Sequence, residues 1–255
     1  KIGDVSLFWF DQSKMPKSWL PNGVVQIGAN SPSGESALWS FGELLKRGAQ
    51  ERFDISSSEL DLGISLGRIA GHRSGRIFIA DILANGAGFS TEIGEESTMK
   101  ELLSFLDIEV RERLNKSLHE QNCDSSCPMC LRGYETRTVH GWRMALDLTS
   151  IALQRDPSLA SWMQVSERLA NGIKMQNAQT KLITVDSIAD VVYLVGPKQI
   201  VAIGHPLWSK KQASYTGPQA EIASAIVASH GREPLWTDAG EVARFPYLIT
   251  AQLFT

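Results

Sequence analysis

All three cysteines of this 255-residue chain fall in one eight-residue stretch, Cys123-Asp124-Ser125-Ser126-Cys127-Pro128-Met129-Cys130. An odd number at such short spacing cannot make a disulfide framework. Gaps of three and two residues do let three sulfurs meet at one point without closing a long loop. Thiolates converging in this way favour a tetrahedral, borderline-soft ion such as Zn2+. A closed site needs a fourth donor, and two histidines are near: His119, four residues before Cys123, and His140, ten residues after Cys130. Either completes a Cys3His set, with His119 having the shorter reach. An iron-sulfur cluster would want a fourth cysteine, which is absent. Three free thiols on a loop made polar by Asp124, Ser125 and Ser126 would be an oxidation hazard. A nucleobase-deaminase centre would need His-x-Glu ahead of Pro-Cys-x-x-Cys, whereas this chain has His119-Glu120.

The flanking sequence places the cysteine loop between two helices. From Thr98, with Glu101 in a capping-box position, Met99, Leu102, Leu103, Leu106, Val110, Leu114 and Leu118 predict one amphipathic helix running to His119. A second, from about Val139, carries Trp142, Leu146 and Leu153 on one stripe and ends before Asp156-Pro157. Upstream, Leu38, Phe41, Leu44, Leu45 and Ala49 predict a helix over 36–53. Strands are expected at 23–28, 60–66 and 75–81, the last running into Asn85-Gly86-Ala87-Gly88. A shorter helix follows over 158–170. After Asn171-Gly172 the chain turns β-branched, with strands expected at 181–186, 191–195 and 199–203. Gly196-Pro197-Lys198 joins the last two as a hairpin, and a helix follows at 219–229. The pattern predicts an α/β fold: a mixed sheet with packed helices and a zinc-binding loop between two of them over 1–172, and a smaller C-terminal α+β subdomain over 173–255.

Charge narrows the function classes. Twenty-five Lys and Arg against 28 Asp and Glu give a net charge of −3, so any nucleic-acid contact must be local. Arg132, Arg137 and Arg143, interleaved with Tyr134 and Trp142, are the candidates: guanidinium forks for phosphates and an aromatic face for a base. The alternative is that Arg143 and Trp142 pack into the helices. No apolar run is long enough to span a bilayer and no secretory signal opens the chain, so a cytoplasmic location is expected. The first residue is Lys1 rather than Met, and a piece of a longer protein is expected.

The stretch Cys123-Asp124-Ser125-Ser126-Cys127-Pro128-Met129-Cys130-Leu131-Arg132-Gly133-Tyr134-Glu135, followed by His140-Gly141-Trp142-Arg143-Met144-Ala145-Leu146-Asp147-Leu148, resembles the zinc-binding C-terminal module of certain superfamily 2 DEAD/DEAH-type helicases. These include the bacterial mitomycin-repair type and helicase-associated proteins of the DISARM and Druantia anti-phage systems. Ile79-Ala80-Asp81-Ile82-Leu83-Ala84-Asn85-Gly86-Ala87-Gly88-Phe89 is similar to that module's strand and Gly-Ala-Gly turn, so the resemblance covers about 36–153. It implies a zinc cofactor, DNA and helicase motor domains as partners, an ATP-binding parent and a role in antiviral defence or DNA repair. Repair-type members carry a fourth cysteine where this chain has Gln121, which leaves the fourth ligand between His119 and His140.

No motor is expected within these residues. Gly28-Ala29-Asn30-Ser31-Pro32-Ser33-Gly34-Glu35 has one intervening residue too many for a P-loop and Glu where the phosphate-binding Lys belongs, and no Asp-Glu-x-His box occurs. Asn85 to Gly88 could cradle a phosphate, although a tight turn explains them as well. Asp81 and His205 are the candidates for a rival reading as a nuclease or metal-dependent hydrolase. His205-Pro206-Leu207 lacks the His-x-Lys of phospholipase-D-type nucleases and reads as a loop anchored by Trp208. A third reading is a pure protein-interaction module. The preferred expectation is a non-catalytic accessory module whose structural zinc organises a surface for DNA or the motor domains.

Overall fold

A computed structural model of the chain describes residues 5–8, 32–69, 72–82, 88–133, 141–177, 183–210, 212, 215 and 217–255. The strand expected at 23–28 lies outside them. The described residues form two compact units that part between Pro157 and Ser158.

In the first unit, strands β1 (Val5–Phe8), β2 (Leu60–Ile69) and β3 (His72–Asp81) form an antiparallel sheet in the order β1-β3-β2. β2 and β3 are the arms of one long hairpin, paired from Leu60↔Asp81 to Ile69↔His72. Alternation buries Ile77 and Ile79 on one face of β3. Helix α1 (Pro32–Arg52) lies against this sheet and buries Leu38, Phe41, Leu44, Leu45 and Ala49, the stripe that the 36–53 periodicity predicts. Gly42 permits the approach, because a Cβ there would stand 2.8 Å from Leu62 Cδ1.

After the short α2 (Phe89–Gly94), the stretch expected as one helix from Thr98 to His119 is divided among α3 (Glu96–Phe105), a π-helical turn (Leu106–Val110), α4 (Arg111–Leu114) and α5 (Ser117–Asn122). The Thr98 capping box is not used, since α3 starts two residues earlier after extended Glu95. Leu102, Leu106, Val110 and Leu114 are all buried at a strict spacing of four. On a regular α-helix that spacing drifts about 40° per step, and one wider π turn takes up the drift. After Asn115, Lys116 is extended (φ −60°, ψ 134°), so α5 leaves in a new direction carrying His119.

Helix α6 (Trp142–Ala152) departs furthest from expectation. It is buried on every side from Trp142 to Ile151, including Arg143 and Asp147, rather than along one stripe. Arg111 crosses to it and donates to the Leu146 carbonyl (2.9 Å) and Ser150 Oγ (2.7 Å). Each fully buried Leu or Ile in this core contributes about 1.5–3 kcal/mol relative to exposure.

In the second unit, β4 (Thr184–Ile188), β5 (Val191–Val195) and β6 (Ile200–Gly204) form an antiparallel meander, and β7 (Pro234–Asp238) joins β6 in parallel after α8 (Gly217–His230). α7 (Ala160–Gln176), α9 (Ala239–Arg244) and α10 (Pro246–Phe254) complete it. Asn171-Gly172, near which a boundary was expected, lies inside α7, and a Cβ at Gly172 would meet nothing. The β5–β6 hairpin is present, with Gly196 N–H donating to the Gln199 carbonyl at 2.9 Å. Gly196 is also where the hairpin meets α10: a Cβ there would lie 2.5 Å from the Leu253 carbonyl oxygen. Gly196→Ala is therefore expected to destabilise the second unit by about 1–3 kcal/mol, read as a lower melting temperature, while an alanine at Gly172 changes it little or raises it slightly.

Candidate metal centre

The break at Lys116 sets His119 one turn into α5, and α5 ends at Cys123, whose extended backbone (φ −133°, ψ 95°) starts the cysteine loop. The loop then tightens: Cys127 accepts at its carbonyl from the N–H groups of Cys130 and Arg132, both at 3.0 Å. Cys127 N–H points to Cys130 Sγ at 3.1 Å. The result brings one ligand atom from each of His119, Cys123, Cys127 and Cys130 to within 4.8 Å of one another. His119 is 6% exposed, Cys123 4% and Cys130 7%.

Cys123 Sγ and Cys127 Sγ each stand 3.8 Å from Cys130 Sγ. That is too far for a disulfide. A tetrahedral ion with Zn–S bonds of about 2.3 Å holds its sulfurs about 3.8 Å apart. The histidine is set up in the same sense. Its Nδ1–H donates to the Leu114 carbonyl at 2.8 Å, which leaves the lone pair on Nε2, and Nε2 is buried with no hydrogen-bond partner. A buried ring nitrogen with no protein donor beside three sulfurs is what a metal would satisfy. The ring packs edge-on against Trp142, centroids 5.0 Å apart.

Burial pushes the Cys123 and Cys130 thiols above their ordinary range, reinforced at Cys123 by the charge of Cys130. At Cys127 burial acts the same way, but backbone hydrogen bonds from Met129 and Cys130 and contacts with the other two thiols bring it below that range. A metal that takes all three as thiolates must displace their protons.

The neighbourhood of the loop is cationic at two points. Arg47 on α1 donates through Nε to Glu43 Oε1 (2.7 Å) and through Nη1 to the Cys130 carbonyl (3.1 Å). Arg143 on α6 donates to the carbonyls of Cys123 (3.3 Å), Asp124 (3.4 Å) and Glu120 (3.4 Å), with its guanidinium 4.3 Å above the Trp142 ring. Arg143 is 2% exposed, so it does not belong to a strand-contacting surface as the arginine cluster suggested. Its long side chain reaches back along α6 to the loop carbonyls. Arg132 is exposed beside the loop. Tyr134, Arg137 and His140 lie outside the described residues.

The other candidate acids and bases serve local structure. Asp81 accepts from Ser90 N–H and Ser90 Oγ, both at 3.1 Å, and so ties β3 to the start of α2. Gly88 there takes φ +78°, while 83–87 lie outside the described residues. His205 is buried and its Nδ1 accepts from Leu207 N–H at 3.1 Å, with Trp162 edge-on to the ring. Sequence reasoning did not single out Arg47. Its pairing with Glu43 four residues earlier is visible in the sequence, but its contact with Cys130, 83 residues away, is not.

Three cysteine sulfurs and one imidazole converging within 4.8 Å, three of the four residues buried, define a zinc-binding α/β module. Residues 41–131 match the family model described as the MrfA Zn-binding domain, a span that includes all four converging residues. No curated protein and no solved structure matches the chain. Zinc is the cofactor that this match and the donor set support.

Because zinc competes with protons for three sulfurs, two of them raised, its apparent affinity is expected to fall as pH falls, by about tenfold or more per unit from pH 8 to 6. Competition against a chromophoric chelator measures this, and a flat profile would contradict thiolate ligation. His119→Ala is expected to weaken binding at every pH.

Proposed function

We propose that the chain is a non-catalytic accessory module of a helicase-like protein acting on DNA in defence or repair, with His119, Cys123, Cys127 and Cys130 holding a structural zinc. The observation that carries this reading is closure: four protein donors, the number a tetrahedral ion takes, converge within 4.8 Å, and three of the four residues are buried. Catalytic zinc sites keep a position open for water, and structural ones do not. Ligation of this kind adds on the order of 10–16 kcal/mol to the folding of a segment that has few other means of holding its shape. The zinc then fixes α5 and the loop against α6. Arg132, with Arg137 and Tyr134, supplies the surface for a strand or for the parent's motor domains.

The similarity of 41–131 to the MrfA Zn-binding domain supports the zinc module, and the helicase-type parent rests on the resemblance carried by the cysteine block. His119 is the fourth ligand of this reading because it converges with the three cysteines and lies within the matched span, while His140 lies outside the described residues.

Chelation tests the structural role. Stripping the metal is expected to expose 117–142 to hydrogen exchange while the second unit stays protected. Retention on single-stranded DNA at low salt is expected to drop when Arg132 and Arg137 are both replaced by Ala. A chelated protein with unchanged exchange would exclude a structural zinc, and unchanged retention in the double variant would exclude the arginine surface.

A further inference from the structure

We propose that Arg143, acting with Trp142, is the positioning residue of the zinc centre, holding the His119 and Cys123 ligands in register from helix α6. The inference rests on the Cys3His reading above and goes beyond it to residues that donate no ligand atom.

Trp142 and Arg143 open α6, directly after Gly141, which takes the left-handed conformation (φ +99°). Gly141 and Trp142 donate their backbone N–H groups to the Ser125 carbonyl at 3.2 and 2.9 Å, so the start of the helix is pinned to the middle of the cysteine loop. From that anchor the two side chains spread over the first half of the ligand segment. Trp142 Nε1–H donates to the Cys123 carbonyl at 2.8 Å while the ring packs on His119. Arg143 Nη1 donates to the carbonyls of Cys123 and Asp124, and Nη2 to that of Glu120. Glu120 follows His119 directly, and Asp124 follows Cys123. The planar guanidinium therefore bonds the carbonyl of the residue that follows each of two ligands, and that of Cys123 itself, and stacks on the ring that touches His119.

The chemistry favours Arg over other side chains. The fork donates from two nitrogens held in one plane, Nη1 and Nη2, whereas a Lys ammonium has its three donors on a single freely rotating nitrogen. Those carbonyls are held facing the guanidinium, so the end of α5 and the first turn of the loop cannot rotate independently. The loop's far end is held separately, by Arg47 on the Cys130 carbonyl. Partners that orient ligands in this way typically change metal affinity by about 10–100-fold.

The test uses the whole chain, with Arg143→Met, Arg143→Lys and Trp142→Phe compared with Leu148→Ala, a cavity in the same buried helix that touches no ligand-loop carbonyl. Two readouts are needed: the rate of zinc release to a chromophoric chelator at a temperature well below unfolding, and the visible d–d spectrum of the cobalt-loaded protein. Arg143→Met is expected to release zinc about 10–100-fold faster and to alter the cobalt spectrum. Arg143→Lys and Trp142→Phe should fall between it and the unmodified chain. Leu148→Ala should lower the melting temperature but leave the spectrum unchanged. If Arg143→Met does not fold, the Lys and Phe variants decide. Release and spectra equal to the unmodified chain, or changed no more than in Leu148→Ala, would overturn the positioning role. An unmodified chain that binds no zinc would instead overturn the reading on which it rests.

Discussion

Three sulfurs and one ring nitrogen converging within 4.8 Å are the constraint on which the shape of the 117–131 segment depends. The segment from Ser117 to Leu131 has a helix of only six residues, and the rest of it is a tight irregular loop. Neither has an apolar face large enough to fix its own shape. His119, Cys123, Cys127 and Cys130 would hold a divalent ion in place of such a core; bound there, it would offset the buried thiols' preference for their protons and give the orphaned Nε2 of His119 a partner. The arrangement also accounts for the break at Lys116, because a helix continued without interruption from α4 would carry His119 in another direction.

Around that centre the protein supplies its own scaffold. Helix α6, buried on all sides, turns its first two residues onto the loop, and its later turns receive Arg111. Helix α1 packs on the hairpin sheet on one side and reaches the loop through Arg47. Backbone carbonyls in the ligand segment are thereby bonded from two helices far apart in sequence. Buried polar groups that are fully satisfied in this way favour one geometry over its alternatives.

The metal centre was largely legible in the sequence, since cysteine spacing and histidine proximity are local and zinc chemistry tolerates few alternatives. His119 was favoured over His140 only for its shorter reach; the turn at Asn115–Lys116 and the Leu114 carbonyl that bring it to the sulfurs and fix its tautomer are not revealed by periodicity, and His140 lies outside the described residues. Periodicity did identify the buried faces of α1 and of the 102–114 stretch, yet it ran α3 to α5 together, because the spacing of four reads as a helix whether or not one turn is widened. It also read α6 as amphipathic, where tertiary packing covers Arg143 and Asp147 as well. Arg143 shows the limit most clearly: an arginine beside aromatics reads as a phosphate contact until the carbonyls it faces are known. In the second unit, the glycine at 172 looked like a boundary, and the α7 helix runs through it to Gln176.

X-ray absorption at the zinc K edge on the purified chain tests the central claim most directly. The expected result is one zinc per chain with three sulfur neighbours at about 2.3 Å and one nitrogen at about 2.0–2.1 Å. Substoichiometric metal, a shell made mainly of oxygen, or only two sulfurs in the first shell would contradict it.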